Sequence, residues 1–155
     1  MSTERVSPIV ARNFQVRFVL LGPRGGRAEQ RELAFSQVVF PPFRLDGRVV
    51  RGVSDGGVGD GEPGSSPNLV LRRGHTGSPV LYEWWRAERD DERTRVREVI
   101  VVLLDEDHRP VTAWHFTGCH IVSLDYSPLD AVDLGVLMES LELSFKRVEQ
   151  IHLDT

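Results

Sequence analysis

His115, Cys119 and His120 lie close together, and imidazole and thiolate are the ligands that zinc prefers. A tetrahedral ion needs its donors within about 2.3 Å of one point. Residues 111–124 alternate like a strand. At ~3.3 Å per residue, such a strand separates His115 from Cys119 by about 13 Å and turns His120 to the opposite face. The three could share an ion only if the strand broke near Gly118, so packed or interfacial side chains are the expected account. Asp105, Glu106 and Asp107 could act as paired carboxylates or a cation site, but between two strand-like runs they read as a charged hairpin turn. The glycines of 52–61 suggest a phosphate cradle. A phosphate-binding loop of that kind needs Lys followed by Ser or Thr, and Glu62-Pro63 stands there instead. Gly56-Gly57-Val58-Gly59 also opens like a calcium-binding β-roll repeat, which would need Asp at Gly61 and several repeats in tandem. No Gly-x-Ser-x-Gly elbow is present. The expected set of catalytic, cofactor-binding and metal-ligating residues is therefore empty, and no cofactor is expected.

The elements that carry these residues follow from patterning. In 13–21, Phe14, Val16, Phe18 and Leu20 share one face opposite Gln15 and Arg17, as in a half-buried strand. A Gly-rich turn leads to a second strand-like run over 29–40, with Leu33, Phe35 and Val39 on one side, ended by Pro41-Pro42. A short strand is expected at 48–53, a long polar loop at 54–67, and another strand at 68–73 before Gly74. Ser78-Pro79 suits a helix start, and Leu81, Trp84 and Trp85 fall on one face of a helix over 79–89. Adjacent tryptophans leave two readings: one in the core with a partly covered neighbour, or one held at an interface. The β-branched run of 94–104 is the clearest strand, and 111–124 pairs with it as a hairpin, with Trp114, Phe116, Val122 and Leu124 in one parity. Residues 133–151 fit a helical stripe through Leu134, Leu137, Leu141 and Phe145. They fit strand alternation equally well, with Glu139 and Arg147 on the apolar side.

Length and composition set the outer bounds. The 155 residues suit one domain over 1–155, with an N-terminal arm at 1–12, and the 40% hydrophobic and 27% charged content is that of an ordinary globular chain. A net charge of −4 argues against a dedicated nucleic-acid binder. A single cysteine excludes an intrachain disulfide. The first residues lack the apolar core of a secretory signal and no run approaches a membrane span, so cytoplasmic synthesis without membrane insertion is expected.

Six segments occur in a telling order: Asn13-Phe14-Gln15-Val16; Asn68-Leu69-Val70-Leu71-Arg72-Arg73-Gly74; Leu81-Tyr82-Glu83-Trp84-Trp85-Arg86; Val99-Ile100-Val101-Val102-Leu103-Leu104-Asp105-Glu106; Pro110-Val111-Thr112-Ala113-Trp114-His115-Phe116; and Met138-Glu139-Ser140-Leu141-Glu142-Leu143. Together they resemble the tail-tube protein family of contractile phage tails and phage-tail-like contractile injection systems. The resemblance departs at Pro41-Pro42-Phe43-Arg44 and the following loop, where family members carry a glycine and a Tyr-Arg-Glu-like strand.

The resemblance implies a mainly β fold like that of the haemolysin-coregulated protein: two packed antiparallel sheets, a sandwich or barrel-like body, with one flanking helix. It selects strand over helix at the C-terminal end. It implies a structural subunit, not an enzyme, that forms hexameric rings stacked into a tube. Its expected partners are further copies of itself, a contractile sheath protein, baseplate or spike hub proteins, and DNA or a protein effector as luminal cargo. The alternatives are a tube-initiating baseplate paralogue and a small β-barrel that binds or transforms a small molecule.

Overall fold

A computed structural model describes residues 8–22, 28–45, 67–92 and 95–153. The strand expected at 48–53, all but Pro67 of the 54–67 loop, and residues 1–7 of the N-terminal arm lie outside them. The described chain forms strands β1 (Phe14–Leu21), β2 (Glu29–Leu33), β3 (Gln37–Val39) and β4 (Leu69–Gly74). Helix α1 (Val80–Arg89) follows, then β5 (Arg95–Leu104), β6 (Pro110–Thr117), β7 (His120–Tyr126), β8 (Met138–Ser144) and β9 (Arg147–His152). These strands make two antiparallel sheets, one of order β2-β1-β5-β6-β9 and one of order β3-β4-β8-β7. The described strands form no closed barrel.

Alternation builds the core as expected in the regular strands. Val16, Phe18 and Leu20 of β1 and Val99 and Val101 of β5 face Leu69 and Leu71 of β4 and Leu141 and Leu143 of β8, and all are buried. The other face of the five-stranded sheet is mostly polar. One cross-strand row runs Glu32, Arg17, Ile100, His115, Glu149, beside a smaller apolar cluster of Val102, Leu104 and Ala113.

Two expected strands are each two strands. The 29–40 run breaks at residues 34–36: β2 pairs with β1 in one sheet, and β3 pairs with β4 in the other. The break changes parity, so Val38 packs on the core while Val39 is exposed. The 111–124 run breaks at Gly118-Cys119, where β6 leaves the five-stranded sheet and β7 enters the four-stranded one. Gly118 has φ +65, and a Cβ there would meet the Lys146 side chain at 2.9 Å, so the corner needs glycine twice over. The partner strand bends at the same level between β8 and β9, where the Lys146 N–H donates to the Thr117 carbonyl (2.9 Å). Sandwich corners of this kind are made by strands that switch sheets. A bulge between Ile121 and Ser123 then turns Ile121 inward and Val122 out, with Leu124 back on the core.

The C-terminal residues form strands, and Leu134 of the alternative helical stripe is 98% exposed. Helix α1 starts one residue later than expected. Pro79 occupies the cap position, and the Val80 N–H donates to Ser78 Oγ at 3.3 Å. Its buried residues are Leu81, Trp84 and Ala87, with Trp84 against Phe18 at a ring separation of 4.8 Å. Trp85 sits on the flank of this stripe, only partly covered, beside Tyr82 and under the Arg89 guanidinium at 5.2 Å. The pair therefore follows the first of the two readings within the chain. Trp84→Ala should destabilise the fold by ~3–5 kcal/mol. Trp85→Ala, which removes a partly buried ring packed at the edge of the core, should cost the isolated chain less, about 1–2 kcal/mol. Urea unfolding midpoints of the two variants check this order.

Candidate functional site

The residues singled out for chemistry are dispersed. His115, on the outer face of β6, has Nε2 2.6 Å from Glu98 Oε1 on β5. His120, at the start of β7, has Nδ1 3.3 Å from Glu88 Oε2 on α1. Cys119 is fully buried at the corner, its thiol 3.4 Å from the Phe116 carbonyl. The chain is not one straight strand here but bends at Gly118, and even so each of the three side chains is turned to a separate neighbour. Among the described residues, no three His, Cys, Asp or Glu side chains stand close enough to hold a metal ion. Burial pushes the Cys119 thiol up to about 12, so it stays protonated and a poor nucleophile.

Asp105 is used by its own turn. Its Oδ1 accepts from the Asp107 N–H (2.8 Å) and the Arg109 N–H (2.9 Å), while His108 takes φ 64. Glu106 and Asp107 are exposed on that turn. Gly52–61 lies outside the described residues.

Two charged clusters were not singled out from the sequence. Glu88 of α1 is ringed by Arg95 (3.2 Å) and Arg97 (3.7 Å) of β5 and by His120, and its Oε1 accepts from the Ile121 N–H at 3.2 Å. One carboxylate thereby ties the last turn of the helix to both sheets. The second cluster is centred on two buried charges, Arg73 and Glu139. Arg73 of β4, Glu139 of β8 and Tyr126 of β7 occupy one cross-strand row on the core side of the four-stranded sheet. Glu139 is 1% exposed; one oxygen accepts from Arg73 Nε (2.8 Å), and the other faces His75 Nδ1 at 2.7 Å. Opposite a carboxylate, that nitrogen carries the proton. Arg73 also stacks over Phe35 at 5.7 Å. Burial, then the adjacent Glu139 carboxylate, hold the Tyr126 phenol above its ordinary value. The signal for this cluster lay in parity: Arg73 stands in phase with Leu69 and Leu71, and Glu139 in phase with Leu141 and Leu143.

These clusters hold sheets and helix together. What the surface does offer is strands at the sheet margins. Within the described residues β2 and β9 end one sheet, and β3 and β7 end the other. Exposed apolar side chains gather in two places, at Phe40, Phe43 and Leu45 after β3, and at Leu129, Val132, Leu134 and Val136 between β7 and β8. The arrangement suits repeated association better than turnover.

The model of the family described as T4-like virus tail tube protein gp19 matches residues 62–149, more than half of the chain, from before β4 into β9. The chain belongs to this tail-tube family. It is a family of structural tube proteins, and this chain is a tube subunit by kind. The tail-tube fold itself recurs across nearly the whole chain in solved structures. A chain of the anti-feeding prophage (AFP) baseplate is 23% identical, with 98% of each chain covered and a TM-score of 0.64. A chain of the sheath-tube complex of an extracellular contractile injection system, PVC, in its extended state is 17% identical, covering 98% of this chain and 100% of that one, with a TM-score of 0.63. A chain of the PVC sheath/tube terminator is 16% identical over 94% and 97%, with a TM-score of 0.65. No curated protein sequence matches the tail-tube chain.

Breaking a buried ion pair strands its partner, so Glu139→Ala should destabilise by ~3–5 kcal/mol. Removing Arg73 as well should cost much less than the sum of the two single changes, which a double-mutant cycle in urea measures. Cys119 should resist a thiol reagent at pH 8 in the folded protein and react at once on unfolding. Because the unfolded thiol ionises first as pH rises, folding stability should also fall between pH 9 and about 12.

Proposed function

We propose that the chain is the repeating subunit of the inner tube of a contractile tail or injection particle. It forms hexameric rings through a single tail-tube domain over 1–155, and the rings stack around a conduit for DNA or a protein effector. The family match over 62–149 carries this reading. The four sheet edges support it. Among the described residues each of these edge strands has a neighbour on one side alone, and free N–H and C=O groups on such an edge invite another chain, which a closed ring supplies. A ring with unlike top and bottom faces stacks by heterologous contacts, which extend axially into a filament. A contractile sheath outside and a baseplate or spike hub at one end are the further partners, in keeping with the sheath-tube and baseplate assemblies in which its structural neighbours occur. The subunit works without catalysis, metal or cofactor, and without entering a membrane; no described helix is long and apolar enough to cross one. It is made in the cytoplasm and leaves the cell only with the assembled particle.

The baseplate neighbour gives a second reading some footing, that of a paralogue that starts the tube. Copy number separates them: a tube subunit fills many rings per particle, an initiator one or two. Purified protein should sediment as six-membered rings at high concentration, with short stacks visible in negative stain. A monomer that persists over a wide concentration range would defeat both readings.

A further inference from the structure

The connection between β7 and β8, residues 127–137, is an irregular segment built to present apolar side chains to something else. Leu129, Val132, Leu134 and Val136 are 87%, 88%, 98% and 70% exposed. Scattered apolar residues on a surface are ordinary, but four along one short segment are not. The segment is also held in shape. At its root the Ser127 N–H donates to the Met138 carbonyl (3.0 Å), the Met138 N–H to Ser127 Oγ (2.9 Å), and the His75 N–H to the Leu137 carbonyl (2.8 Å). Nearer the tip, Asp130 Oδ1 accepts from the Val132 N–H and Asp133 Oδ1 from the Gly135 N–H, each at 3.0 Å. Such turns lower the entropy lost when a loop docks.

A receptor of matching character lies at the other edge of the four-stranded sheet. Between β3 and the five-stranded sheet is a groove of about 200 Å³ lined by Ala11, Phe14, Val38, Phe40, Leu103 and Trp114, among others. None of its described lining residues is charged. Its flanks are basic: Arg12 follows Ala11 in the chain, and Arg72 donates to the groove residue Gln37 at 3.1 Å. Neither arginine forms an ion pair among the described residues, and the arm brings Asp130 and Asp133 beside its apolar side chains.

We infer that the 127–137 arm of one copy docks in the Phe14–Phe40–Trp114 groove of a second copy, with Leu134 as its central apolar contact. Arm and groove are different surfaces of one chain, leaving at the β7–β8 end and the β3 edge, so the contact is head-to-tail and each copy keeps a free arm and a free groove. This deepens the proposed ring reading and rests on it, by naming the surfaces that join neighbours.

Two variants test it without touching the core: Leu134→Asp, which spoils the arm, and Ala11→Trp, which fills the groove from an exposed position. Both should keep the unfolding midpoint of the wild type when monomeric. Each alone should remain monomeric in sedimentation at concentrations at which the wild type forms rings. Mixed, they should give 1:1 pairs and nothing larger, because one intact arm still meets one intact groove. Rings formed by either variant alone would overturn the inference while leaving the ring reading standing. A mixture that stays monomeric would likewise refute this pairing of arm with groove. A wild type that never assembles would remove both the inference and the reading beneath it.

Discussion

The two sheets are joined by one bent hairpin, and most of the architecture follows from that bend. β6 and β9 pair in the five-stranded sheet, and their continuations β7 and β8 pair in the four-stranded one. Both strands turn at one level, at Gly118 and Lys146, and a backbone hydrogen bond crosses between them there. The Cys119 N–H donates to the Arg97 carbonyl of β5 (2.9 Å), so the corner is also tied to the middle of the larger sheet. Neither sheet can leave the other without breaking a ladder that both share. That favours a single cooperative unit over two sheets that open separately.

With the corner fixing one side, the polar contacts are spent on the remaining openings. Glu88 fastens the last turn of the helix against β5 and β7, on the side where Trp84 enters the core against Phe18. Glu139 fills the end of the four-stranded sheet, where the leucine rows stop and Arg73 and His75 supply the donors that make its burial tolerable. Ionisable groups arranged in this way serve shape, which is what a subunit needs if it must present the same edges many times over.

The sequence made the regular elements legible because their periodicity is unbroken: β1, β4, β5 and the helix stand within a residue or two of expectation. It hid places where the chain changes sheets, at 34–36, at 118–119 and at 145–146. Across 34–36 and 118–119 the apolar residues continue at strand-like spacing, and nothing local distinguishes a straight strand from one that bends into the opposite sheet. Gly118 was the available sign, and its meaning depends on Lys146 approaching from the other strand. The bulge at Val122 misleads in the same way, because one extra residue returns Leu124 to the parity a straight strand would have given it. For 133–151, periodicity left helix and strand tied, and resemblance to the tail-tube family separated them. The Arg73–Glu139 row was readable as charge in phase with leucine on two strands, but their pairing is a tertiary fact.

Strand order has a consequence in time as well as in space. The bent hairpin uses β6 to β9, successive in the chain, whereas β1 must wait for β5 and β4 for β8. As the polypeptide emerges from the ribosome, the described strands that come first can form just the short pairings β1–β2 and β3–β4, and isolated two-stranded pairs are marginal in water. The aromatic face of β1 therefore stays uncovered until β5 has been made, and the leucines of β4 until β8 has. Translation must pass β8 before this protein can hide the surface that would otherwise aggregate.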